Sequence, residues 1–99
     1  MPLTESQKKH LRRLGHALRP VVLVGQRGLT ESVIAEFRRA LVDHELVKLR
    51  ARVGDRSRRD ALLAELAAAS GAELVHRIGN VGLFYKRNNE ISGILLPDS

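Results

Sequence analysis

The segment Arg19–Thr30, R-P-V-V-L-V-G-Q-R-G-L-T, decides the fold because it predicts a strand, a glycine-bounded loop and a helix in succession. The run Val21–Val24 has no polar alternation and lies between a proline and a glycine, a pattern typical of a strand covered on both faces and therefore central in its sheet. Thr30 is a suitable N-cap for a helix that reaches about His44. The expected core stripe of that helix is Val33, Ile34, Phe37 and Leu41.

The loop between this strand and this helix consists of Gly25, Gln26, Arg27 and Gly28. Glycines let the backbone approach a ligand closely, and successive N–H groups beside a helix N-terminus attract an anion such as phosphate. Arg27 adds a permanent charge. The loop is neither a Walker loop, which needs GxxxxGK[ST], nor a dinucleotide fingerprint, which needs a third glycine. A plain tight turn is the alternative interpretation, and the loop alone does not exclude it.

The segment before this unit predicts an amphipathic helix. Thr4 followed by Gln7 forms a capping-box pattern, and the Arg19-Pro20 pair ends the helix after about Leu18. Leu11, Leu14 and Leu18 share one side of the helix. Basic side chains occupy the opposite side, and an ordinary solvated face is the alternative explanation for them. The basic residues are Lys8, Lys9, Arg12, Arg13 and His16.

The segment after the central helix predicts a second strand. Residues 46–53 alternate strictly between apolar and basic side chains, which indicates a half-buried strand with a basic outer face. Val47, Leu49, Ala51 and Val53 form the apolar face, and Lys48, Arg50 and Arg52 form the basic face.

A turn at residues 54–56 leads into a third helix, for which Ser57 and Asp60 predict the start and Gly71 the left-handed end. Its expected inward residues are Ala61, Leu62, Leu66 and Ala69. Residues 73–78 and 81–86 then form two strand-like runs separated by Gly79-Asn80, which predicts an antiparallel hairpin.

The predicted order is therefore αβαβαββ, an α/β domain in two layers that spans residues 1–99 as one unit. The tail from Asn88 onward is expected to be loosely packed. Its apolar patch Ile94-Leu95-Leu96 is compatible with a short extra strand or with fraying, and the pattern does not decide between them.

Composition points to an acidic macromolecular partner. The chain has 99 residues and a formal net charge of +6. Residues 1–30 hold six basic and one acidic residue, and residues 46–60 hold six and two, so the charge is concentrated in two segments. Clustered Lys and Arg displace counterions from nucleic-acid phosphates. A compositional bias toward arginine is the alternative explanation.

Several classes of function are excluded or disfavoured. The absence of cysteine excludes disulfides, thiolate catalysis and cysteine-ligated metals, and suits the cytoplasm. We expect no signal peptide, membrane span, metal or cofactor. Asp55 and Asp60 are an imaginable magnesium pair, but they are better explained as turn and cap residues, so no catalysis is expected.

Aromatic residues are too few for extensive base stacking. Phe37 belongs to a core stripe, and Phe84 and Tyr85 fall on opposite faces of the last strand. Tyr85 is the one stacking candidate, although a half-buried strand residue is the favoured interpretation. The domain is therefore expected to recognise nucleic-acid backbone and shape.

With these residues in view, the chain resembles the YhbY-like, or CRM (chloroplast RNA splicing and ribosome maturation), family of RNA-binding domains. The resemblance rests on the opening T-x-x-Q-K-K-x-L-R helix, the segment A-L-R-P-V-V-L-V-G-Q-R-G-L-T from Ala17, H-E-L-V-K-L-R from His44, and I-G-N-V-G-L-F-Y-K-R from Ile78. It implies a four-stranded mixed sheet similar to the C-terminal domain of a translation initiation factor.

The resemblance also implies association with the precursor of the large ribosomal subunit in bacteria. It places the RNA-contacting glycine loop at Gly25, Gln26, Arg27 and Gly28. KH domains carry a similar tetrapeptide between two helices, whereas here it joins a strand to a helix. The tail after Arg87 departs from the family's more basic ending, because Glu90 and Asp98 offset its charge.

We therefore expect a cytoplasmic, monomeric RNA-binding protein that associates with precursor large-subunit ribosomal RNA and uses no small-molecule substrate. A basic adaptor that binds an acidic protein surface is the alternative hypothesis. The predicted RNA-binding residues are Gly25, Gln26, Arg27, Gly28, Lys8, Lys9, Arg12, Arg13, Lys48, Arg50 and Arg52.

Overall fold

Three helices and four strands occur in the order αβαβαββ in the computed structural model, which describes residues 2–88, 94, 96 and 97. The strands form a mixed sheet in the order β1-β2-β4-β3, with β1 parallel to β2 and the other neighbours antiparallel. The predicted α/β class and element order are confirmed. The elements are α1 (Glu5–Gly15), β1 (Val22–Val24), α2 (Glu31–His44), β2 (Leu46–Ala51), α3 (Arg56–Ser70), β3 (Glu73–Ile78) and β4 (Val81–Tyr85).

Strand β1 lies at the edge of the sheet, so the prediction of a central strand covered on both faces is wrong. It pairs with β2 alone among the described strands. Val22 and Val24 are buried, but Leu23 is 53% exposed and Val21 is 52% exposed. The two inner positions instead belong to β2, which pairs with β1 and β4, and to β4, which pairs with β2 and β3. A run of apolar residues does not distinguish an edge position from an inner one.

Helix α1 begins as predicted and ends earlier than predicted. The Thr4 hydroxyl accepts from the Gln7 N–H (3.1 Å) and the Gln7 side chain accepts from the Thr4 N–H (3.0 Å), which completes the capping box. The helix ends at Gly15, where a Cβ would lie 2.8 Å from the Leu83 side chain. Leu11 is buried, but Leu14 is 39% exposed and Leu18, which lies beyond the end of the helix, is 37% exposed.

Helix α2 follows the prediction: Thr30 caps it, it ends at His44, and Phe37 and Leu41 are buried. Helix α3 begins one residue before the predicted Ser57, since the carboxylate of Asp55 accepts from the Ser57 N–H (3.0 Å). Its end at Gly71, with φ of 74°, is as predicted.

The inward side of α3 is partly corrected. Leu62 and Leu66 are buried as expected, together with Leu63, whereas Ala61 and Ala69 are exposed. The leucines have more apolar area to bury than the alanines, and the helix is rotated accordingly.

The sheet has a core on each face. On the face covered by α2 and α3, here called the α2/α3 face, Phe84 meets Phe37 edge to face with ring centroids 4.9 Å apart. On the other face, here called the α1 face, Leu11 packs against Leu46, Leu83 and neighbouring residues. Helix α1 thus forms a further partial layer on the sheet. Within the described residues, no helix is long and apolar enough to span a membrane.

Glu45 connects the end of α2 to the C-terminal segment. It has a positive φ of 61°, and its side chain accepts from the backbone N–H groups of Asn88 (2.6 Å) and Ile94 (3.2 Å). Ile94 and Leu96 pack against the core of the α1 face. Neither residue is in a strand, and Leu95, the third residue of the predicted patch, lies outside the described residues.

Candidate nucleic-acid interface

The glycine loop follows β1 and is a tight turn closed by its own backbone. The Gly28 N–H donates to the Gly25 carbonyl (3.0 Å), and Gly28 has a φ of 75°, which favours glycine. Gly25 is exposed, and a Cβ placed there would meet nothing within 4 Å. Gln26 and Arg27 are also exposed. The loop therefore presents backbone and an arginine to solvent directly before α2.

Arg58 of α3 supports this loop from the side. Its Nη2 donates to the Gln26 carbonyl (2.8 Å) and lies 3.7 Å from the position of a Cβ on Gly28. The first turn of α3 contains no acidic residue and carries Arg56, Arg58 and Arg59. The N-cap carboxylate of Asp55 and the ion pair between Asp60 and Arg59 offset part of this positive charge, and Arg56 and Arg58 are exposed to solvent.

Parallel pairing brings further charge to the same edge of the sheet. The carboxyl ends of β1 and β2 lie side by side, and the Arg52 N–H donates to the Val24 carbonyl (2.7 Å). Arg52 therefore directly adjoins the glycine loop. In open α/β sheets, ligands bind at this end of the strands.

Asp55 and Asp60, the imaginable magnesium pair, have other partners. Asp55 caps α3, and Asp60 receives Arg59 (3.1 Å) and Arg77 (3.5 Å) in ion pairs. Among the described residues, no group of three or more His, Asp and Glu side chains is placed to hold a metal ion.

A groove of about 230 Å³ lies on the α1 face beside the end of α1. Pairing of β2 with β4 sets basic residues beside apolar ones in this groove, because Lys48 lies opposite Leu83 and Arg50 lies opposite Val81. Arg12 reaches the groove from α1. The described lining residues are Arg12, Gly15, His16, Pro20, Lys48, Arg50, His76, Ile78, Val81 and Leu83, and every charged side chain among them is basic.

A β-bulge in β3 places His76 in this groove. Leu74 pairs with Phe84 and His76 pairs with Leu83, so Val75 is an extra residue in the ladder. Without it, alternation would put His76 on the same face as Leu74, against α2 and α3. Burial lowers the pKa of His76, and the charges of Arg12, His16 and Arg77 lower that pKa further.

The groove continues toward the glycine loop. A more open depression shares Pro20 and Arg50 with it and is also lined by Arg19, Leu23 and Arg52. Arg52 lies two residues along the chain from Arg50, a distance of about 7 Å in extended backbone. The loop, Arg52, Arg50 and the groove thus form one continuous basic surface, here called the basic path.

Comparison with known proteins identifies the family. Residues 3–86 match the CRS1 / YhbY (CRM) domain. The chain belongs to this family. A protein of Pseudomonas aeruginosa named as a probable RNA-binding protein is 49% identical over 88 residues, covering 89% of this chain and 85% of that protein. An RNA-binding protein of Haemophilus influenzae is 37% identical over 95 residues, covering 96% of this chain and 95% of that protein.

A solved structure shares the fold. The solution structure of a hypothetical RNA-binding protein from Staphylococcus aureus matches with a TM-score of 0.84 at 31% identity, covering 97% of this chain and all of that one. The CRM match begins before α1 and ends after β4, so it includes both the glycine loop and the groove.

The predicted basic residues of this CRM domain are not all brought together. Arg12 lines the groove, whereas Lys8 lies 3.9 Å from both Glu5 and Glu73 and has part of its charge offset. Lys9 and Arg13 are exposed on α1. The loop, Arg50, Arg52 and Arg12 lie along the basic path, with Lys48 in the groove wall, where its Nζ also donates to the Leu18 carbonyl (3.3 Å).

Other residues of the CRM domain were missed at the level of sequence. Arg58 had a recognisable signal, namely arginines in the first turn of a helix, where acidic residues are favoured. His76 had none, because its place in the groove depends on the bulge. Tyr85, the stacking candidate, is only 5% exposed and packs in the core of the α1 face.

Proposed function

We propose that this CRM domain binds RNA and associates with precursor large-subunit ribosomal RNA during ribosome assembly. It acts as a single cytoplasmic domain and as a monomer, without catalysis or a cofactor. The observation that carries the proposal is the basic path, in which the exposed loop with Arg27 directly follows Val24, whose carbonyl accepts from the Arg52 N–H. The names of the relatives support RNA as the ligand.

The chemistry of the path suits a phosphate backbone. Exposed loop N–H groups and arginine guanidinium groups both donate to anionic oxygens, and arginine can do so with two parallel bonds. Such contacts position an RNA without reading its bases. Arg58 contributes indirectly, because its bond to the Gln26 carbonyl holds the loop in place.

The salt dependence of binding tests whether RNA is the ligand. Fragments of precursor large-subunit RNA are titrated with the protein at increasing salt, and the logarithm of affinity is expected to fall at about −0.7 per phosphate contacted, or roughly −3 to −4 for five contacts. A slope near zero, or no binding at low salt, would contradict RNA binding and favour an adaptor for an acidic protein surface.

Arg27→Ala tests the loop. We expect binding to weaken by about 1–3 kcal/mol with the fold intact, because a charge-assisted contact is lost. Arg39→Ala is the matched control, since Arg39 is an exposed arginine of α2, which packs on the opposite face of the sheet. Equal affinity of the Arg27→Ala variant and the parent protein would show that the loop is only a turn.

The ribosomal assignment needs a test in cells. Sedimentation of the tagged protein, followed by sequencing of crosslinked RNA, is expected to place it on large-subunit precursors. Crosslinks confined to other RNAs would leave RNA binding intact and refute the role in assembly.

A further inference from the structure

The groove on the α1 face combines a basic rim with an apolar floor. Its rim contains Arg12, Lys48 and Arg50, and aliphatic side chains of β3 and β4 form its floor. Among these, Ile78 is 64% exposed although it lies in a sheet. The row from β2 to β3 runs Arg50, Val81, Ile78, so Arg50 directly adjoins Val81, and Ile78 follows on the far side of Val81.

Double-stranded RNA does not match this surface. A duplex presents phosphates, sugars and base edges, and it keeps the faces of its bases stacked inside. The rim alone would serve such a ligand, and the floor would stay uncovered. An unpaired nucleotide carries an anionic phosphate and a flat, weakly polar base on the same unit, and it therefore complements both parts of the groove.

The size of the groove limits what enters it. Its volume of about 230 Å³ lies below the roughly 300–1,000 Å³ of pockets that enclose drug-sized ligands. It is also open along the side that leads through Arg50 to Arg52 and the glycine loop. A chain that follows the basic path can thus place one base in the groove while its backbone continues past Arg52.

We propose that the groove seats the base of one unpaired nucleotide from a single-stranded segment of the bound RNA, with the adjoining phosphates held by Arg12, Arg50 and Arg52. The inference rests on the proposed RNA binding and adds to it a preference for single strands. The bulge at Val75 is part of this device, because it brings His76 and Ile78 to the floor of the groove.

His76 makes nucleotide binding in the groove sensitive to pH. The charged and titratable groups around it are Arg12 and His16 on α1, Lys48 and Arg50 on β2, and Arg77 on its own strand, while Glu73 farther along β3 lies 3.9 Å from Lys8. β4 contributes the apolar Val81 and Leu83. An RNA phosphate offsets the surrounding positive charge that lowers the pKa of His76, so bound RNA raises that pKa and favours protonated His76. Affinity for single strands therefore rises as pH falls toward the lowered pKa of the free protein.

The floor is tested with Ile78→Thr, which keeps a β-branched side chain but makes it polar. Val42→Thr is the matched control, because Val42 is 67% exposed on α2, on the other side of the sheet. Both variants are titrated with a single-stranded RNA and with a duplex that carries the same number of phosphates. We expect Ile78→Thr to weaken single-strand binding about fourfold, because burial of one methylene-sized group contributes about 0.8 kcal/mol. We expect duplex binding to stay unchanged.

A second readout uses His76→Gln, a neutral residue that retains hydrogen-bonding groups. The parent is expected to bind the single strand more tightly at pH 6 than at pH 7.5, and His76→Gln is expected to lose most of that difference. The His76 resonance in the parent should titrate at higher pH once RNA is bound.

Two kinds of failure are distinguishable. If Ile78→Thr has no effect, or if it weakens single strand and duplex alike, the groove does not seat a base, and RNA binding through the basic path still stands. If the parent protein binds neither the single strand nor the duplex at low salt, the proposed function itself is wrong, and the proposal for the groove fails with it.

Discussion

Gly25 and Gly28 bound the same loop but are expected to respond to alanine in opposite ways. Gly28 has a φ of 75°, a conformation that costs an L-residue about 1–2 kcal/mol. The added Cβ would meet Arg58 at an ordinary 3.7 Å, so steric overlap adds little. Because alanine restricts the unfolded chain more than glycine does, the substitution also adds about 0.4–1 kcal/mol to the free energy of unfolding. The net prediction for Gly28→Ala is a loss of about 1 kcal/mol in the free energy of unfolding.

Gly25→Ala should leave the fold unharmed. Gly25 has no positive φ and open space around its Cβ position, so the change is neutral or stabilises the fold by up to about 1 kcal/mol. The added methyl group nevertheless stands where an RNA phosphate would approach the loop. Loss of one hydrogen bond to a charged phosphate, about 1.5–3 kcal/mol, corresponds to a tenfold or greater loss of RNA affinity.

Thermal unfolding and RNA titration at matched salt separate these effects. Gly28→Ala is expected to lower Tm by roughly 4–8 °C, and Gly25→Ala is expected to keep Tm and lose affinity. Gly25→Ala binding as tightly as the parent would refute the close approach of backbone to phosphate. An unchanged Tm for Gly28→Ala would refute the requirement for a positive φ.

Three further predictions concern other parts of the chain. Changing both Lys9 and Arg13 to Glu should weaken binding of all RNAs alike. Tm should stay nearly unchanged, because exposed charges stabilise the fold little. Unfolding of the double variant would show that this face of α1 is packed. Glu45→Ala should destabilise the fold by about 1.5–3 kcal/mol and speed amide exchange at Asn88 and Ile94, because the N–H groups of these two residues lose a carboxylate acceptor. Unchanged exchange at both amides would contradict this role. The lowered pKa of His76 predicts a contribution to stability that is present above about pH 6.5 and declines as pH falls below it. Urea unfolding measured at a series of pH values should show this decline in the parent protein and not in His76→Gln.

Local features of the chain were predictable because short-range contacts determine them. The capping box at Thr4, the N-cap at Thr30, the left-handed end at Gly71 and the Gly79 hairpin all depend on residues close together in sequence. Each was predicted at the residue where it occurs. The strict alternation after Leu46 also identified which side chains of β2 are buried.

Features that depend on pairing between distant segments were not predictable in the same way. The apolar run of β1 suggested a central strand, but the arrangement of partners places it at the edge. At the end of α1, Gly15 lies so close to Leu83, nearly seventy residues farther along the chain, that an added Cβ would be only 2.8 Å from the leucine side chain. Neither contact leaves a pattern within its own segment.

By itself the sequence determined the element types, their order, the location of the positive charge and the glycine loop as the first candidate for phosphate binding. Only the tertiary structure decided that Arg12 and Arg50 share one groove and that Arg58 holds the loop. It also decided, through one extra residue in β3, that His76 faces the groove. The physical reason is that the alternation of side chains shows which residues within one strand share a face. Strand order, register and bulges instead follow from the packing of the whole sheet.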